Sequence, residues 1–241
     1  MTTYGMVIDL ERCVGCHACV AACKVQWEVP AGESRDWVVP IGPTKDAEGL
    51  LSGFYVGLCM HCERPSCVEA CPTKATYKRD DGIVVVDRAL CIGCGICVGA
   101  CPYGARYHHA GLRKVDKCDF CQERLARGEE PACVTTCITS CRHFGDLENP
   151  ESDASRHLAH SRRLESAEAR LGPNVRYLAK DRTWRLVHDA FAPPAPELST
   201  PAWLLQKIAR PLILLAIGAA FAGQAIAFFS QLRRGEHPIE E

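Results

Sequence analysis

The sequence lacks the short motifs that mark nucleotide-binding and hydrolytic active sites. It contains no Gly-x-Gly-x-x-Gly fingerprint, no Walker phosphate loop, no His-Glu-x-x-His zinc motif and no Gly-x-Ser-x-Gly nucleophile turn. It also lacks an excess of one charge, since its formal net charge is −1. These absences argue against a phosphate-binding enzyme, a zinc protease, a serine hydrolase and a nucleic-acid-binding protein.

Cysteine is abundant, with 17 residues, but none follows Cys141. A secreted disulfide scaffold is the first interpretation of such a composition. It fails because the cysteines fall in tight groups of four and because the first twelve residues are too short and too polar for a secretory leader. We therefore expect the chain to fold and to receive its metal in a reducing compartment.

Sixteen of the cysteines form four motifs with metal-ligand spacing. The motifs are Cys13-x2-Cys16-x2-Cys19-x3-Cys23, Cys59-x2-Cys62-x4-Cys67-x3-Cys71-Pro72, Cys91-x2-Cys94-x2-Cys97-x3-Cys101-Pro102 and Cys118-x2-Cys121-x11-Cys133-x3-Cys137. Three closely spaced thiolates can wrap three corners of one [4Fe–4S] cubane, while the fourth cysteine of each motif ligates a second cluster, as in two-cluster ferredoxins. The sequence therefore predicts four [4Fe–4S] clusters.

Crossed ligation requires the motifs to pair, and a Cys-Pro ending is shared by the second and third motifs alone. We therefore pair the second motif with the third and the first with the fourth. The predicted ligand sets are cluster A, Cys13, Cys16, Cys19 and Cys137; cluster B, Cys23, Cys118, Cys121 and Cys133; cluster C, Cys59, Cys62, Cys67 and Cys101; and cluster D, Cys71, Cys91, Cys94 and Cys97.

Other interpretations of these cysteines are less consistent with the spacing. Cys13-Val-Gly-Cys16-His17 matches the attachment signature of a c-type haem, but Cys19 and Cys23 continue the ferredoxin pattern. Three-cysteine loops followed by Cys-Pro are not the spacing of zinc ribbons. The remaining Cys141 is interpreted as a buried structural thiol, with a redox thiol as the alternative.

Short strands are predicted between the cysteine motifs. Residues 75–87 predict a β-hairpin around Arg79-Asp-Asp-Gly82, and residues 105–115 predict a second hairpin around Gly111.

His17, His61, His108, His109 and His143 are interpreted as local hydrogen-bonding or surface residues. Lys24, Lys74 and Arg106 lie near cluster ligands in sequence, so we hypothesise that they raise nearby reduction potentials, with a solvated charge as the alternative.

The C-terminal part of the chain has a different composition. We divide the sequence into a four-cluster domain (1–148), a basic extension with a proline-rich linker (149–200), a membrane-anchoring segment (201–234) and a short tail (235–241). A helix is predicted near 161–171, and the basic face is interpreted as either solvated or a docking surface. Residues 211–232 carry no charge and are long enough to cross the roughly 30 Å hydrocarbon core of a bilayer. A buried core helix is the alternative for that segment.

These motifs resemble the four-cluster iron–sulfur subunits of molybdopterin oxidoreductases of the dimethyl sulfoxide reductase type. Cys118-Asp-Phe-Cys121, Pro131-Ala-Cys133 and 144–150 (Phe-Gly-Asp-Leu-Glu-Asn-Pro) are most similar to subunits that serve polysulfide, thiosulfate, tetrathionate, sulfite or arsenate enzymes. The resemblance implies an α+β fold of tandem pseudo-symmetric dicluster ferredoxin-like halves with β-hairpin insertions. A C-terminal single transmembrane helix would follow them. It also implies a non-catalytic electron relay.

The resemblance further implies the partners: a large catalytic subunit with a molybdenum or tungsten bis-pyranopterin cofactor, and an integral membrane subunit that exchanges electrons with quinone. With its own predicted helix in the lipid bilayer, the chain would be a single-pass protein of the cell inner membrane. The iron–sulfur domain is expected on the cytoplasmic face, and the periplasmic face is the alternative if a twin-arginine partner co-exports it. An iron–sulfur subunit of a formate dehydrogenase or hydrogenase and a membrane-tethered ferredoxin are the alternative functions.

Overall fold

The computed structural model describes residues 2–194 and, beyond them, only residues 212, 215, 219, 221, 223 and 224, which are helical. Met1–Glu197 form one compact unit, which contains all the cysteine motifs. In the part of the chain that the structure describes, no helix is long and apolar enough to cross a bilayer. The proline-rich end of the extension predicted over 149–200 and most of the membrane helix predicted over 211–232 lie outside the described residues.

Most strands and helices of this unit are short. The strands are β1 (Tyr4–Asp9), β2 (Asp36–Asp46), β3 (Gly49–Leu58), β4 (Thr76–Lys78), β5 (Val84–Val86), β6 (Tyr107–His109), β7 (Lys114–Asp116), β8 (Arg142–Asp146) and β9 (Val175–Leu178). The helices are α1 (Ala18–Trp27), α2 (Ser66–Glu69), α3 (Ile96–Gly99), α4 (Gln122–Leu125), α5 (Ala132–Thr135), α6 (Asp153–Arg156) and α7 (Asp181–Phe191), with a 3-10 turn at Leu158–His160.

A three-stranded sheet joins distant parts of the chain in the order β8-β1-β9. Strand β1 lies antiparallel to β8, with Met6 opposite Phe144, and parallel to β9, with Met6 opposite Val175. The apolar centre of β1 is completely buried, as expected for a strand with neighbours on both edges. The sheet therefore binds residues after Asn149 to the N-terminal strand.

Three β-hairpins extend from this framework. The two predicted hairpins are confirmed as β4–β5 and β6–β7, and Gly82 has the positive φ that its turn requires, 82°. The longer hairpin β2–β3 was not predicted, and its register shifts between Ile41 and Thr44. A β-bulge of this kind bends the strand and increases its local twist.

The helix predicted near 161–171 is wrong. These residues are irregular, and Arg162 forms an isolated antiparallel bridge to Tyr177. Leu164 and Leu171 are buried, and their seven-residue separation imitates one face of a helix. The Leu164 carbonyl instead accepts a hydrogen bond from the Tyr103 hydroxyl, at 2.9 Å, so tertiary contacts set the local conformation.

Helix α7 covers the β2–β3 hairpin. Thr183 and Val187, one helical turn apart, are its buried residues, and the Phe191 ring stacks on Tyr55 with ring centroids 4.1 Å apart. Tyr55 also lies 5.8 Å from the Tyr177 ring, so α7, the hairpin and β9 meet at one aromatic group. The segment after residue 149 thus packs on the rest of the unit.

Tyr177 connects the sheet to the hairpin through a buried hydrogen bond. Its hydroxyl donates to the Val56 carbonyl oxygen at 2.9 Å, and its side chain is inaccessible to solvent. Since an unsatisfied buried acceptor is costly, we expect Tyr177→Phe to lower the free energy of unfolding by about 1–3 kcal/mol. Urea denaturation followed by circular dichroism measures the change.

The matched control is Tyr77→Phe, because Tyr77 is an exposed tyrosine on the short strand β4. We expect that variant to stay within about 0.5 kcal/mol of the parent chain. Equal urea midpoints for both variants would show that the Tyr177 hydroxyl makes no net contribution.

Candidate metal centres

The cysteine motifs fold as tight loops that lead into short helices. The third cysteine of each motif lies in a helix, namely Cys19 in α1, Cys67 in α2, Cys97 in α3 and Cys133 in α5. Gly15 and Gly93 occupy the same position in the first and third motifs and have φ values of 65° and 70°. A Cβ at Gly93 would lie 2.3 Å from the Arg113 carbonyl oxygen, so this loop requires glycine.

The structure brings the first and fourth motifs together around two separate pockets. One pocket is lined by Cys23, Cys118, Cys121 and Cys133. The other is lined by Cys13, Cys16, Cys19, Cys137 and the additional Cys141. Each pocket contains one cysteine from the partner motif, which is the arrangement that crossed ligation requires.

The second and third motifs also meet. The Cys62 thiolate lies close enough to Cys59, Cys67 and Cys101 for mutual repulsion. Cys97 is repelled in the same way by Cys71 and Cys94. Cys91 belongs to a buried group that also contains Cys71 and Cys97. These cysteines are members of the predicted sets C and D, and their ligation stays a prediction.

The pKa values of these thiols show that burial disfavours their ionised form. Burial raises the pKa of Cys19 to about 11 and that of Cys133 to about 12. Burial, and then repulsion by neighbouring thiolates, raises the pKa of Cys62 and of Cys118 above the ordinary range. A positively charged iron–sulfur core would keep such groups ionised, so the donor sets fit [4Fe–4S] clusters.

Buried cations lie directly beside the sulfur atoms. The Arg106 Nη2 donates to the Cys67 sulfur at 2.9 Å, and Cys97 lies close enough to interact with the charge of the guanidinium. Arg142, which was not among the residues predicted from the sequence, lies near enough to Cys19 for its charge to oppose the burial that raises the pKa of that thiol. Internal alignment could have found it, since Arg142 follows Cys137 by the same five positions that separate Arg106 from Cys101.

The other two predicted tuning residues have different contacts. The Lys24 ammonium donates to the carbonyl oxygens of Pro30, at 3.3 Å, and Glu33, just beyond the end of α1. Lys74 has a left-handed backbone, with φ of 58°, and no sulfur contact among the described residues. A neutral donor was missed instead: the Trp27 indole N–H lies 3.2 Å from the Cys121 sulfur.

Two adjacent residues at the start of β2 form buried ion pairs with distant partners. Arg35 bonds both oxygens of Asp116, at 2.7 and 2.8 Å, while Asp36 pairs with Arg142 at 2.8 Å. Arg35 side-chain bonding and charge hold the pKa of Asp116 below its usual value in spite of burial. These pairs link the hairpin to β7 and β8, beside the predicted ligands of clusters A and B.

Cys141 is buried, as expected, but it is also next to the ligand sulfurs. Its sulfur lies 3.5 Å from that of Cys137, and its backbone N–H donates to the same atom at 3.4 Å. A hydrogen bond from the Cys141 thiol lowers the pKa of Cys13 to about 7. Thiol donation to ligand sulfurs is one way in which a protein adjusts cluster potential.

Two histidines have defined structural contacts. His61 is fully buried, accepts a hydrogen bond from the Val84 amide at 3.0 Å and stacks on Phe120. Burial lowers the pKa of His61 well below its ordinary value, so the ring is neutral. The Nδ1 atom of His143 lies 2.8 Å from the carboxylate of Asp153, the first residue of α6.

Two family models match the chain over these motifs. A 4Fe-4S dicluster domain matches residues 52–147, and a 4Fe-4S binding domain matches residues 4–25. Together they cover all four cysteine motifs, which supports the interpretation of the motifs as iron–sulfur sites.

Characterised relatives match the chain over most of their own lengths. A component chain of the polysulfide reductase of Wolinella succinogenes is 45% identical over 69% of this chain and 88% of the relative. A component of the tetrathionate reductase of Salmonella typhimurium is 38% identical over 83% and 78%, respectively. The thiosulfate reductase electron transfer subunit of Salmonella typhi is 42% identical over 74% and 93%. The chain belongs to the family of four-cluster iron–sulfur subunits of dimethyl sulfoxide reductase-type molybdopterin oxidoreductases.

Proposed function

We propose that this chain relays single electrons through four [4Fe–4S] clusters between a molybdopterin catalytic subunit and a quinone-reactive membrane subunit. The observation that carries the proposal is the convergence of cysteines from paired motifs on separate sulfur-lined sites. Bound clusters supply reversible one-electron oxidation and reduction, without breaking a bond in a substrate. The cysteine residues hold the iron, and neighbouring side chains set how readily each site accepts an electron.

The proposed ligands are the sixteen cysteines in their predicted sets. Cluster A takes Cys13, Cys16, Cys19 and Cys137; cluster B takes Cys23, Cys118, Cys121 and Cys133; cluster C takes Cys59, Cys62, Cys67 and Cys101; and cluster D takes Cys71, Cys91, Cys94 and Cys97. All sixteen cysteines precede residue 149. We therefore propose that residues 1–148 form the domain that binds the clusters and that the residues after 148 bind none. The two motif pairs would form the tandem halves that the family resemblance implies.

Contacts between the sites support the order A–B–C–D for the relay. Cys133 of B is repelled by Cys19 of A, and Cys118 of B is repelled by Cys59 of C. Arg106 contacts Cys67 of C and Cys97 of D. Along this order an electron leaves one site, which is oxidised, and enters the next, which is reduced.

Solvent exposure supports placing A and D at the two ends. Cys16 and Cys94, which occupy equivalent motif positions, are the exposed cysteines in the described part of the chain. Their neighbours Val14 and Ile92 are also exposed, although both are apolar. Apolar surface beside an accessible ligand suits contact with a partner subunit, so electrons would enter and leave at these loops.

The names of the relatives support the substrate class. They are components of a polysulfide reductase and a tetrathionate reductase, and a thiosulfate reductase electron transfer subunit. The proposed catalytic partner therefore acts on a sulfur compound. The chain itself is not the catalyst, and its own contribution is electron transfer.

Metal analysis and low-temperature EPR of the anaerobically purified membrane complex test the relay. We expect about sixteen irons for this chain, interacting reduced-cluster signals and a co-purifying molybdenum or tungsten subunit. Sixteen irons without that partner would favour a tethered ferredoxin. Zinc in place of iron, with cluster loss excluded, would contradict the proposed cofactors.

Cys141 provides a test of the fourth ligand of cluster A. Ala75 and Ala105 occupy the positions equivalent to Cys141 in the second and third motifs, so Cys141→Ala introduces the residue already used there. We expect this variant to keep about sixteen irons, whereas Cys137→Ala/Cys141→Ala should lose about four. Iron analysis per chain measures both.

Cys137→Ala alone is the informative intermediate, because Cys141 lies near enough to replace the missing sulfur. Retention of iron in this variant and its loss in the double variant would agree with the assignment. Loss of about four irons from Cys141→Ala alone would instead identify Cys141 as the ligand.

A membrane anchor at 211–232 is the remaining part of the proposal, supported by the absence of charge from these residues. The iron–sulfur domain is proposed to lie on the cytoplasmic face of the inner membrane. Phe221→Lys places a charge near the middle of the segment, at a cost of about 2.5–3.5 kcal/mol for insertion. We expect less full-length chain in membranes after carbonate washing, when it is expressed without its partners.

Phe221→Leu is the control for this substitution, since it changes size but keeps the segment apolar. It should remain in the membrane fraction as the parent chain does. Complete extraction of the parent chain by carbonate would contradict a spanning helix.

A further inference from the structure

Arg106 and Arg142 are equivalent residues in the internal repeat. Each follows the fourth cysteine of its motif by five positions, Cys101 in one case and Cys137 in the other. Both guanidinium groups are buried, with only 4% and 3% of each residue exposed. Arg106 hydrogen-bonds a sulfur in the pair of the second and third motifs, and Arg142 lies near a sulfur in the pair of the first and fourth. The repeat therefore places one buried arginine beside each pair.

Arg106 bridges the two clusters of its pair. Its Nη2 lies 2.9 Å from the Cys67 sulfur of cluster C, and Cys97 of cluster D lies close enough to interact with its charge. Its Nη1 donates to the Thr76 hydroxyl at 3.1 Å. Within residues 2–194, no carboxylate lies within ion-pair distance of Arg106. Among the described residues, the guanidinium therefore has sulfur atoms and a neutral hydroxyl as its partners, and no carboxylate offsets its charge.

Arg142 has the same place in the repeat but a different electrostatic partner. The Asp36 carboxylate lies 2.8 Å from its Nη2 and is itself almost completely buried. A paired carboxylate offsets most of the field of a cation at longer range. The neighbouring Arg35 is likewise paired, with Asp116. The two arginines nearest clusters A and B therefore carry a compensated charge.

We infer that Arg106 raises the reduction potentials of clusters C and D together, and that Asp36 suppresses the corresponding effect of Arg142 on clusters A and B. The inference rests on the proposed function, because it assumes the four ligand sets. It assigns a tuning role to three buried side chains, none of which is a metal ligand.

The physical reason is the charge of an added electron. Each sulfur-lined site becomes more negative on reduction, and an unscreened guanidinium at hydrogen-bond distance stabilises the reduced form more than the oxidised form. Because one guanidinium contacts ligands of both sites, removing its charge should affect two clusters in the same direction. A compensated ion pair should have a smaller effect.

The experiment is a redox titration of the purified holo-complex, followed by low-temperature EPR of the reduced clusters. Arg106→Gln removes the charge and keeps a hydrogen-bond donor, while Arg106→Lys keeps the charge with a different geometry. We expect two of the four midpoint potentials to fall in Arg106→Gln and to remain much closer to the parent values in Arg106→Lys. Equal shifts in both variants, or no shift in Arg106→Gln, would overturn the inference.

Asp36→Asn and Arg142→Gln test the second half of the inference at the equivalent site. Asp36→Asn leaves Arg142 uncompensated, so the two potentials that Arg106→Gln does not change should rise. Arg142→Gln should lower those two by less than Arg106→Gln lowers the others. Unchanged potentials in Asp36→Asn would show that Asp36 does not suppress the effect of Arg142.

Iron content separates failure of the inference from failure of the proposed function. If the parent complex contains about sixteen irons per chain, the ligand proposal stands and the potentials alone judge the tuning role. If the parent chain lacks them, the proposed function itself fails. If Arg106→Gln loses iron, two other variants still test the role of charge. Arg106→Lys keeps the positive charge at position 106, and Asp36→Asn removes the carboxylate that offsets the charge of Arg142.

Discussion

Burial of closely spaced thiols, which disfavours their ionised form, is the constraint on which the arrangement of this protein depends. Thiolates of Cys59, Cys67 and Cys101 crowd around Cys62, in surroundings where burial already disfavours charge. A purely apolar core could not hold such groups in their ionised form. The fold meets the constraint with metal-binding geometry and with cations buried next to the sulfur atoms.

The same constraint explains the buried ion pairs of the β2–β3 hairpin. Cations near sulfur ligands need their own hydrogen-bond partners, and Arg35 and Asp36 place opposite charges side by side at the start of β2. Arg35 reaches Asp116 in β7, while Asp36 reaches Arg142 in β8. Separating the partners of a buried ion pair would leave a buried charge uncompensated, which is strongly destabilising. The pairs therefore hold the hairpin in place relative to two cysteine motifs.

The sequence predicted features whose information is local. Cysteine spacing indicated the metal sites, and Gly82 between two short apolar runs indicated the β4–β5 hairpin. The sequence did not predict the sheet order β8-β1-β9. Strands β1 and β9 are paired although they lie near opposite ends of residues 2–194, and no local pattern indicates such a pairing. The helix predicted at 161–171 failed for the same reason, since buried leucines at a helical spacing were positioned by tertiary contacts.

Electrostatic differences between the sites are less visible in sequence than the sites themselves. The motifs repeat the same ligand atom, so four sulfur ligands per site cannot by themselves make one cluster easier to reduce than another. The contacts around those ligands break that equivalence: Arg106 has Thr76 and sulfur ligands around it, whereas Arg142 has Asp36. Asp36 comes from a hairpin outside the cysteine repeat, so comparison of the repeats alone identifies the two arginines but not the charge that distinguishes them. A chain built from repeated cysteine motifs can therefore give its sites different affinities for an electron by inserting a single non-repeated hairpin.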